Sequence, residues 1–302
     1  MATKQRSRPR RSSGPRERAP RFVAPVLDPT WHSPYAPSSA ERHENQHVVR
    51  QFALRRKAPI TILAFVAVVA LVVGVVVVPW LPIVAIALAA LYAWDLRRSL
   101  VRFERQGTTL GAAVLAEFPS RPGGPARDSQ RLATVIDRLA ATFGVDGVSG
   151  YFVEDECYNA ALVPHGHQYA LVVTSALVRD FELIELEGVV AHCLARQRLG
   201  ILTRQSVACV ANLSDENRRA LAGEGLAYRA DEVAAAAIRY PLGLAGALRK
   251  CARQSVPSDS FFTSDTYANW RYIFFDVASD RREADLGDLD DVELRARALE
   301  EW

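Results

Sequence analysis

The chain has 302 residues, a formal net charge of +3 and a hydrophobic fraction of 49%. A charge so near balance excludes a strong overall electrostatic field that would attract one class of partner. We therefore expect no specific binding of a nucleic acid. The length allows one medium domain with appendages. The four cysteines form no Cys-x-x-Cys pair and match no zinc ribbon, which favours reduced thiols (Cys157, Cys193, Cys209, Cys251).

Residues 1–50 are rich in Pro, Ser and Arg and contain little aliphatic side chain. Such a segment cannot bury enough apolar surface to offset its ordering entropy, so we predict a disordered, basic, Pro-rich cytoplasmic tail. Its arginines allow contact with anionic lipid. The alternative, which we favour, is a solubilising tail that also fixes membrane topology.

No charged residue occurs from Ala58 to Trp94. One bilayer span needs ~20 apolar residues, so this run predicts two spans, 59–78 and 81–94. The break between them is expected at residues 79–82, Pro-Trp-Leu-Pro, because Pro disrupts helix interiors and Trp favours the membrane interface. Basic residues flank both ends, which places both in the cytoplasm. We therefore predict a transmembrane helical hairpin over 58–95 and a multi-pass cell-membrane protein, with one kinked span as the alternative.

The remaining chain predicts a mainly helical α+β domain. Residues 96–126 are an amphipathic connector and linker ending in the Pro/Gly-rich stretch SRPGGPARD, and 279–302 predict a charged C-terminal helix. Between them, apolar periodicity predicts helices over 129–143, 183–199 and 218–240. Residues 148–153 and 169–174 are rich in β-branched and aromatic side chains and predict strands of a small sheet packed on helix 183–199.

The most informative motif lies between Asn159 and Asp231. It comprises Asn159-Ala160, a strand ending in TSAL (174–177), a helix reading ELEGVVAHCLAR (185–196) with Gly200 beyond it, and AYRAD (227–231) on a later helix. This order resembles the HtpX-like membrane zinc metallopeptidases, relatives of the CAAX prenyl protease, over residues 58–275 and specifically over 159–235. The resemblance implies a zincin-type metallopeptidase-like domain over 127–278 that follows the hairpin.

The resemblance also shows what the motif lacks. In H-E-x-x-H, two His one turn apart bind zinc and the Glu is the general base, while a Glu from the later helix completes the ligands. Here only His192 matches a ligand; Cys193 replaces the base, and Arg196 and Ala227 replace the other two ligands. A guanidinium offers no lone pair and repels a dication. Asp231 matches the family's supporting carboxylate, and we expect it to pair with Arg196 or His192, or to cap its own helix.

Two other uses of these residues remain open. His165 and His167 lie two apart in sequence and, with His192, offer a three-histidine zinc site if the loop folds over the cleft. Cys193 is a candidate nucleophile with His192 as base, but neighbouring helical residues diverge by about 100°. We therefore expect no catalytic residue, no metal ligand and no cofactor, with zinc required only if one of these alternatives holds.

The sequence thus predicts a catalytically inactive pseudopeptidase that serves as a peptide-binding or scaffold module at the cytoplasmic membrane face. Its vestigial cleft, bordered by strand 169–174, accepts an extended peptide by strand addition. The expected partners are the lipid bilayer and a protein or peptide. The alternatives are a divergent active zinc metalloendopeptidase of membrane protein quality control and a structural component of a membrane or envelope complex.

Overall fold

A computed structural model of the chain describes residues 35–74, 81–118, 121–122, 126–276 and 291–302. Helices predominate, and the elements in chain order are α1 (Ser39–Gly74), α2 (Leu81–Glu117), β1 (Arg121–Pro122), α3 (Ala126–Phe143), β2 (Val148–Val153), β3 (Ala160–His165), β4 (Gln168–Thr174), α4 (Ser175–Asp180), α5 (Leu183–Arg198), α6 (Ile201–Val210), α7 (Asp215–Ala222), α8 (Leu226–Ile238), α9 (Pro241–Arg253), α10 (Asp265–Trp270) and α11 (Val292–Glu300). Short 3₁₀ turns, Phe261–Thr263 and Arg271–Ile273, flank α10.

The described strands form one sheet in the order β1-β2-β4-β3. Strands β2 and β4 are parallel, with Val148 opposite Tyr169. Strands β3 and β4 form an antiparallel hairpin in which His165 pairs with Gln168. Its turn needs Gly166 because the backbone there has φ 62°, in the left-handed region that other residues rarely adopt. As a result β4 is an interior strand and β3 lies beyond it.

Helix α5 lies at the centre of the larger core. One face of the sheet is covered by α3, whose apolar stripe contributes Leu132, Ile136 and Leu139, and by α5, which contributes Leu186 and Val190. The other face packs against the second half of α2 and an aromatic group (Leu110, Val114, Phe118, Phe262, Tyr267, Phe274). The four cysteines are buried thiols within these cores.

Several predicted elements are confirmed. Strands 148–153 and 169–174 correspond to β2 and β4, and helices 129–143 and 183–199 correspond to α3 and α5. The single helix predicted over 218–240 is wrong, because α7 ends at Ala222 and α8 begins at Leu226. Gly223 and Gly225, with φ 84° and 75°, separate them, since neither conformation continues a right-handed helix.

The predicted transmembrane hairpin is wrong. Among the residues that the structure describes, no helix is both long enough and apolar enough to cross a bilayer. Of the break predicted at 79–82, residues 79–80 lie outside the described residues, and Leu81 and Pro82 begin α2. The multi-pass membrane localisation predicted from the same apolar run is wrong for the same reason.

The disorder predicted for residues 1–50 does not extend to the described part of that segment. Residues 39–50 form the start of α1, where Val49 is only 1% exposed and Asn45 donates a side-chain hydrogen bond to the Leu199 carbonyl. Residues 1–34 lie outside the described residues. At the other end α11 falls within the predicted charged helix, of which 279–290 are not described.

Candidate functional site

Helix α5 carries His192, Cys193 and Arg196, and α8 carries Ala227 and Asp231. Helix α5 begins with a capping box in which Glu182 and Glu185 exchange side-chain and backbone hydrogen bonds. It ends before Gly200, whose φ of 77° suits the position after a helix. His192 and Arg196 are one turn apart and share a helix face, as the sequence predicts. Both side chains are buried.

His192 belongs to a buried ionic triad with Asp231 of α8 and Arg295 of α11. The His192 Nδ1 and the Asp231 Oδ1 are 2.6 Å apart. Arg295 donates from Nε to Oδ2 of Asp231 at 2.7 Å and from Nη2 to Oδ1 at 3.0 Å, a bidentate pair. The residues are 2%, 2% and 3% exposed, respectively. Asp231 therefore pairs with His192, which is one of the expected alternatives. Its guanidinium partner is Arg295 instead of Arg196.

The protonation states of the triad follow from burial and from these contacts. Burial lowers the pKa of His192 to about 4, although the Asp231 carboxylate acts to raise it. Burial alone raises the pKa of Asp231, but Arg295 and His192 outweigh this and lower it to about 2. Near neutral pH a charged Asp231–Arg295 pair therefore accepts the Nδ1–H of a neutral imidazole.

Arg196, which the resemblance would align with the second zinc ligand, binds neutral oxygen atoms of the protein. Its Nε donates to the Gln205 side-chain oxygen at 2.8 Å, and Nη2 donates to the same oxygen. Its Nη1 donates to the Ile273 carbonyl at 2.6 Å and to the Phe274 carbonyl at 3.4 Å, while Nη2 reaches the Tyr272 carbonyl. The guanidinium thus attaches the chain around residue 273 to α5.

The other two substituted positions carry no reactive group in this structure. Ala227 lies half-buried on α8, one turn before Asp231, and offers only a methyl group. Cys193 is fully buried in the core, and burial raises the pKa of its thiol to about 11. The thiol is therefore protonated near neutral pH, a state that does not suit a nucleophile.

No protein-family model matches this chain, and no curated protein matches it either.

The three-histidine zinc site is not assembled. His165 and His167 are exposed at the β3–β4 turn, where the His165 ring meets Tyr151 with centroids 6.3 Å apart. His192 is enclosed by α8 and α11. Within the described ranges, no group of three or more His, Cys, Asp or Glu side chains is arranged to hold a metal ion.

The strand expected to border the peptide cleft, residues 169–174, offers no free edge itself, because β4 pairs on both sides with β2 and β3. The outer edge belongs to β3, and the chain's own residues 272–276, here called the edge segment, lie along it. Phe275 N–H donates to the Ala160 carbonyl at 2.8 Å, and Phe274 forms an antiparallel bridge with Ala161. The strand edge beside His192 therefore holds a segment of the same chain.

The sequence pattern did not reveal Arg295, Phe275 or the edge segment as parts of the site. Phe275 meets the His192 ring edge-on with centroids 5.2 Å apart, and the Arg295 guanidinium lies over the Phe275 ring at 5.5 Å. One local feature pointed to Arg295: it shares the apolar face of α11 with Leu299, one turn later, where a charged residue is unusual.

Proposed function

We propose that this protein has a metallopeptidase-like fold, is catalytically inactive and acts as a peptide- or protein-binding module. The observation that carries the proposal is Arg196. It stands at the position of the second zinc ligand, and its guanidinium is already bound to Gln205 and to main-chain carbonyls of the edge segment. A side chain without a lone pair cannot coordinate a metal from that position.

The buried ionic triad supports the same proposal. A zinc-bound histidine often donates its second ring N–H to a carboxylate, which makes the imidazole a better ligand. His192 has this arrangement with Asp231, but Arg295 neutralises the carboxylate. A dication beside the imidazole would lie near two buried guanidinium groups, Arg196 and Arg295, and this repulsion opposes metal binding.

Metal content tests the proposed lack of catalytic activity. We expect the purified full-length chain to contain far less than one zinc per chain by inductively coupled plasma mass spectrometry and to cleave no unstructured protein substrate. Zinc near one per chain, retained after dialysis, would contradict the proposal. Loss of that zinc in His192→Ala would then place it at this site.

Restoring the missing ligands tests whether the site resembles that of a zinc metallopeptidase. The variant Arg196→His with Ala227→Glu supplies the two missing ligands beside His192, and we expect it to take up about one zinc. The matched control, Arg196→Gln with Ala227→Glu, changes the same positions without the second imidazole and should take up none. A restored variant that folds by circular dichroism but binds no more zinc than the control argues against a metallopeptidase-like site.

The proposed peptide binding is tested by selection of a displayed library of random linear peptides on the immobilised full-length protein. Enrichment of a shared sequence pattern is the expected result. Failure to enrich any sequence, in a selection where a control binding domain succeeds, would contradict a peptide-binding role.

A further inference from the structure

Resting on the proposed binding function, we propose that the outer edge of β3 is the peptide groove and that the edge segment occupies it as an internal ligand. The external ligand is then an extended peptide with two consecutive aromatic residues. Their side chains would take the places of the Phe274 and Phe275 side chains. The internal occupant shows which chemistry the groove accepts, because its main chain and side chains are both bound.

The main chain of the edge segment is bound as an added strand. Besides the pairing with Ala160 and Ala161, the Asn159 side chain binds both the main-chain N–H and the main-chain carbonyl of Asp276. Its Nδ2 donates to the Asp276 carbonyl at 2.6 Å, and its Oδ1 accepts from the Asp276 N–H at 3.2 Å. Tyr267 Oη donates to the same carbonyl at 3.2 Å. Strand addition of this kind binds any extended backbone and leaves selection to the side chains.

Side-chain selection comes from the aromatic pair. In an extended chain, neighbouring side chains point to opposite sides, and Phe274 and Phe275 lie in different cores. Phe275 fits between the His192 ring and the Arg295 guanidinium, a contact that favours a π face. Phe274 packs against other aromatic rings at centroid distances of 5.3 Å to Phe262 and 5.1 Å to Tyr267. An aliphatic peptide would lose both kinds of contact.

Two buried arginines bind carbonyl groups of the edge segment and so would hold a replacement peptide regardless of its sequence. Arg196 reaches the carbonyls of residues 272–274, and Arg295 Nη1 donates to the Phe275 carbonyl at 3.3 Å. Since the internal ligand is tethered, its effective concentration is of millimolar order, and an external peptide competes poorly unless the internal segment is weakened.

The test uses a fluorescein-labelled peptide with the sequence of residues 270–276, Trp-Arg-Tyr-Ile-Phe-Phe-Asp, and fluorescence anisotropy with the full-length protein. The variant Phe275→Ala weakens the internal ligand but leaves the β3 edge intact. We expect the peptide to bind this variant at least tenfold (about one order of magnitude) more tightly than the wild type, because more of the groove is accessible. A peptide with Ala in place of its second Phe should lose this gain.

The matched control is Phe143→Ala, which removes a buried aromatic ring of α3 outside the groove. Equal gains in Phe275→Ala and Phe143→Ala would overturn the proposal, since they would reflect general loosening of the fold. Peptides from the displayed library that bind without an aromatic pair, and without competing with the labelled peptide, would overturn this inference while leaving the binding function intact.

Hydrogen exchange on the wild type supplies a test that needs no variant. Saturating peptide should displace the edge segment, so the Phe275 amide, which donates to Ala160, should exchange about tenfold faster. An unchanged Phe275 exchange rate in the presence of bound peptide would show that the peptide occupies another surface and would overturn the proposal.

Discussion

Arg196 and Arg295 place guanidinium groups inside the protein core, where charged side chains are rare. Each is bound by several acceptors: Arg295 by the Asp231 carboxylate and a carbonyl, and Arg196 by Gln205 and carbonyls. Because burying an ion costs several kcal/mol, removing one member of such a set leaves the others without compensation. At the scale of single residues, these side chains form a buried polar cluster that supports the structure.

Replacing Arg295 with Met tests the cost of breaking the triad. We expect Arg295→Met to lower the free energy of unfolding by about 3–5 kcal/mol, because it leaves the Asp231 carboxylate buried beside a neutral imidazole. Urea unfolding followed by circular dichroism measures the change. The control Arg297→Met, at an exposed position of the same helix, should stay within about 0.5 kcal/mol.

The double variant Arg295→Met with Asp231→Asn should recover part of that loss, since the carboxylate is then neutral as well. Additive effects of the two substitutions would contradict an energetic coupling between the two side chains.

The pH dependence of stability tests the protonation state of His192. The folded state lowers its pKa from 6.5 to about 4, so the unfolded chain binds this proton at a higher pH than the folded chain does. The free energy of unfolding should therefore decrease as the pH falls from about 6.5 to about 4, by up to about 1.4 kcal/mol per pH unit. Asp231, with its lowered pKa, adds a further loss below about pH 3.8.

Urea unfolding at a series of pH values compares the wild type with His192→Gln. The variant should lack the decrease between pH 6.5 and 4 that the histidine contributes, whatever its absolute stability. Identical slopes for the two proteins in this range would show that His192 titrates normally or is already charged when folded.

At the scale of elements, close backbone contacts determine how helices pack against the sheet and against each other. Helix α2 lies against the end of β3 at Gly111, where an added Cβ would stand 1.6 Å from the Pro164 carbonyl oxygen. Helix α5 meets α9 at Gly188, where an added Cβ would stand 2.8 Å from the Leu244 Cα. Glycine at these positions allows an approach that any larger residue would prevent.

Gly111→Ala should destabilise the protein by about 2 kcal/mol or more, because the rigid carbonyl cannot move aside and the strain exceeds the gain in helix propensity. Thermal unfolding measures the change. The control is Gly246→Ala on α9, where the added Cβ would meet only the end of the Glu185 side chain, 3.1 Å away. The control should be neutral or slightly stabilising, and equal losses in both variants would contradict the described contact.

At the scale of the whole molecule, the start of α1 is part of the folded unit. Asn45 donates to the Leu199 carbonyl at 2.9 Å and accepts from Arg204 Nη1 at 2.8 Å. Glu41 forms an ion pair with Arg229 of α8, with 2.7 Å between Oε1 and Nε. These contacts connect residues far apart in sequence, and they attach α1 to the helices that surround the site.

Asn45→Ala tests this attachment. We expect a loss of about 1–3 kcal/mol, since the Leu199 carbonyl and Arg204 each lose a partner in a buried setting. Urea unfolding of the full-length chain measures it, with His47→Ala, at an exposed position of the same helix, as the control. A loss no larger than that of His47→Ala would mean that α1 contributes little to the stability of the domain.

Features that depend on neighbouring residues can be predicted from the amino-acid sequence. The stripe of α3 that includes Leu132 and Leu139, the β-branched strands β2 and β4, and the helix carrying His192 all follow from local periodicity. The incompatibility of Arg196 and Ala227 with zinc also follows from side-chain chemistry alone.

Local hydropathy predicted a membrane hairpin over 58–95, but no helix among the described residues is both long enough and apolar enough to cross a bilayer.

The occupant of the site depends on contacts between residues that are far apart in sequence. Arg295 meets Asp231 across 64 residues of sequence, and Asn159 meets Asp276 across 117. Periodicity reports which side of an element is buried, but it does not say which distant element covers it, so the interior position of β4 was not predictable. The edge segment lies beside His192 because the sheet order exposes β3 and because two arginines bind its carbonyl groups, and both facts exist only once the chain has folded.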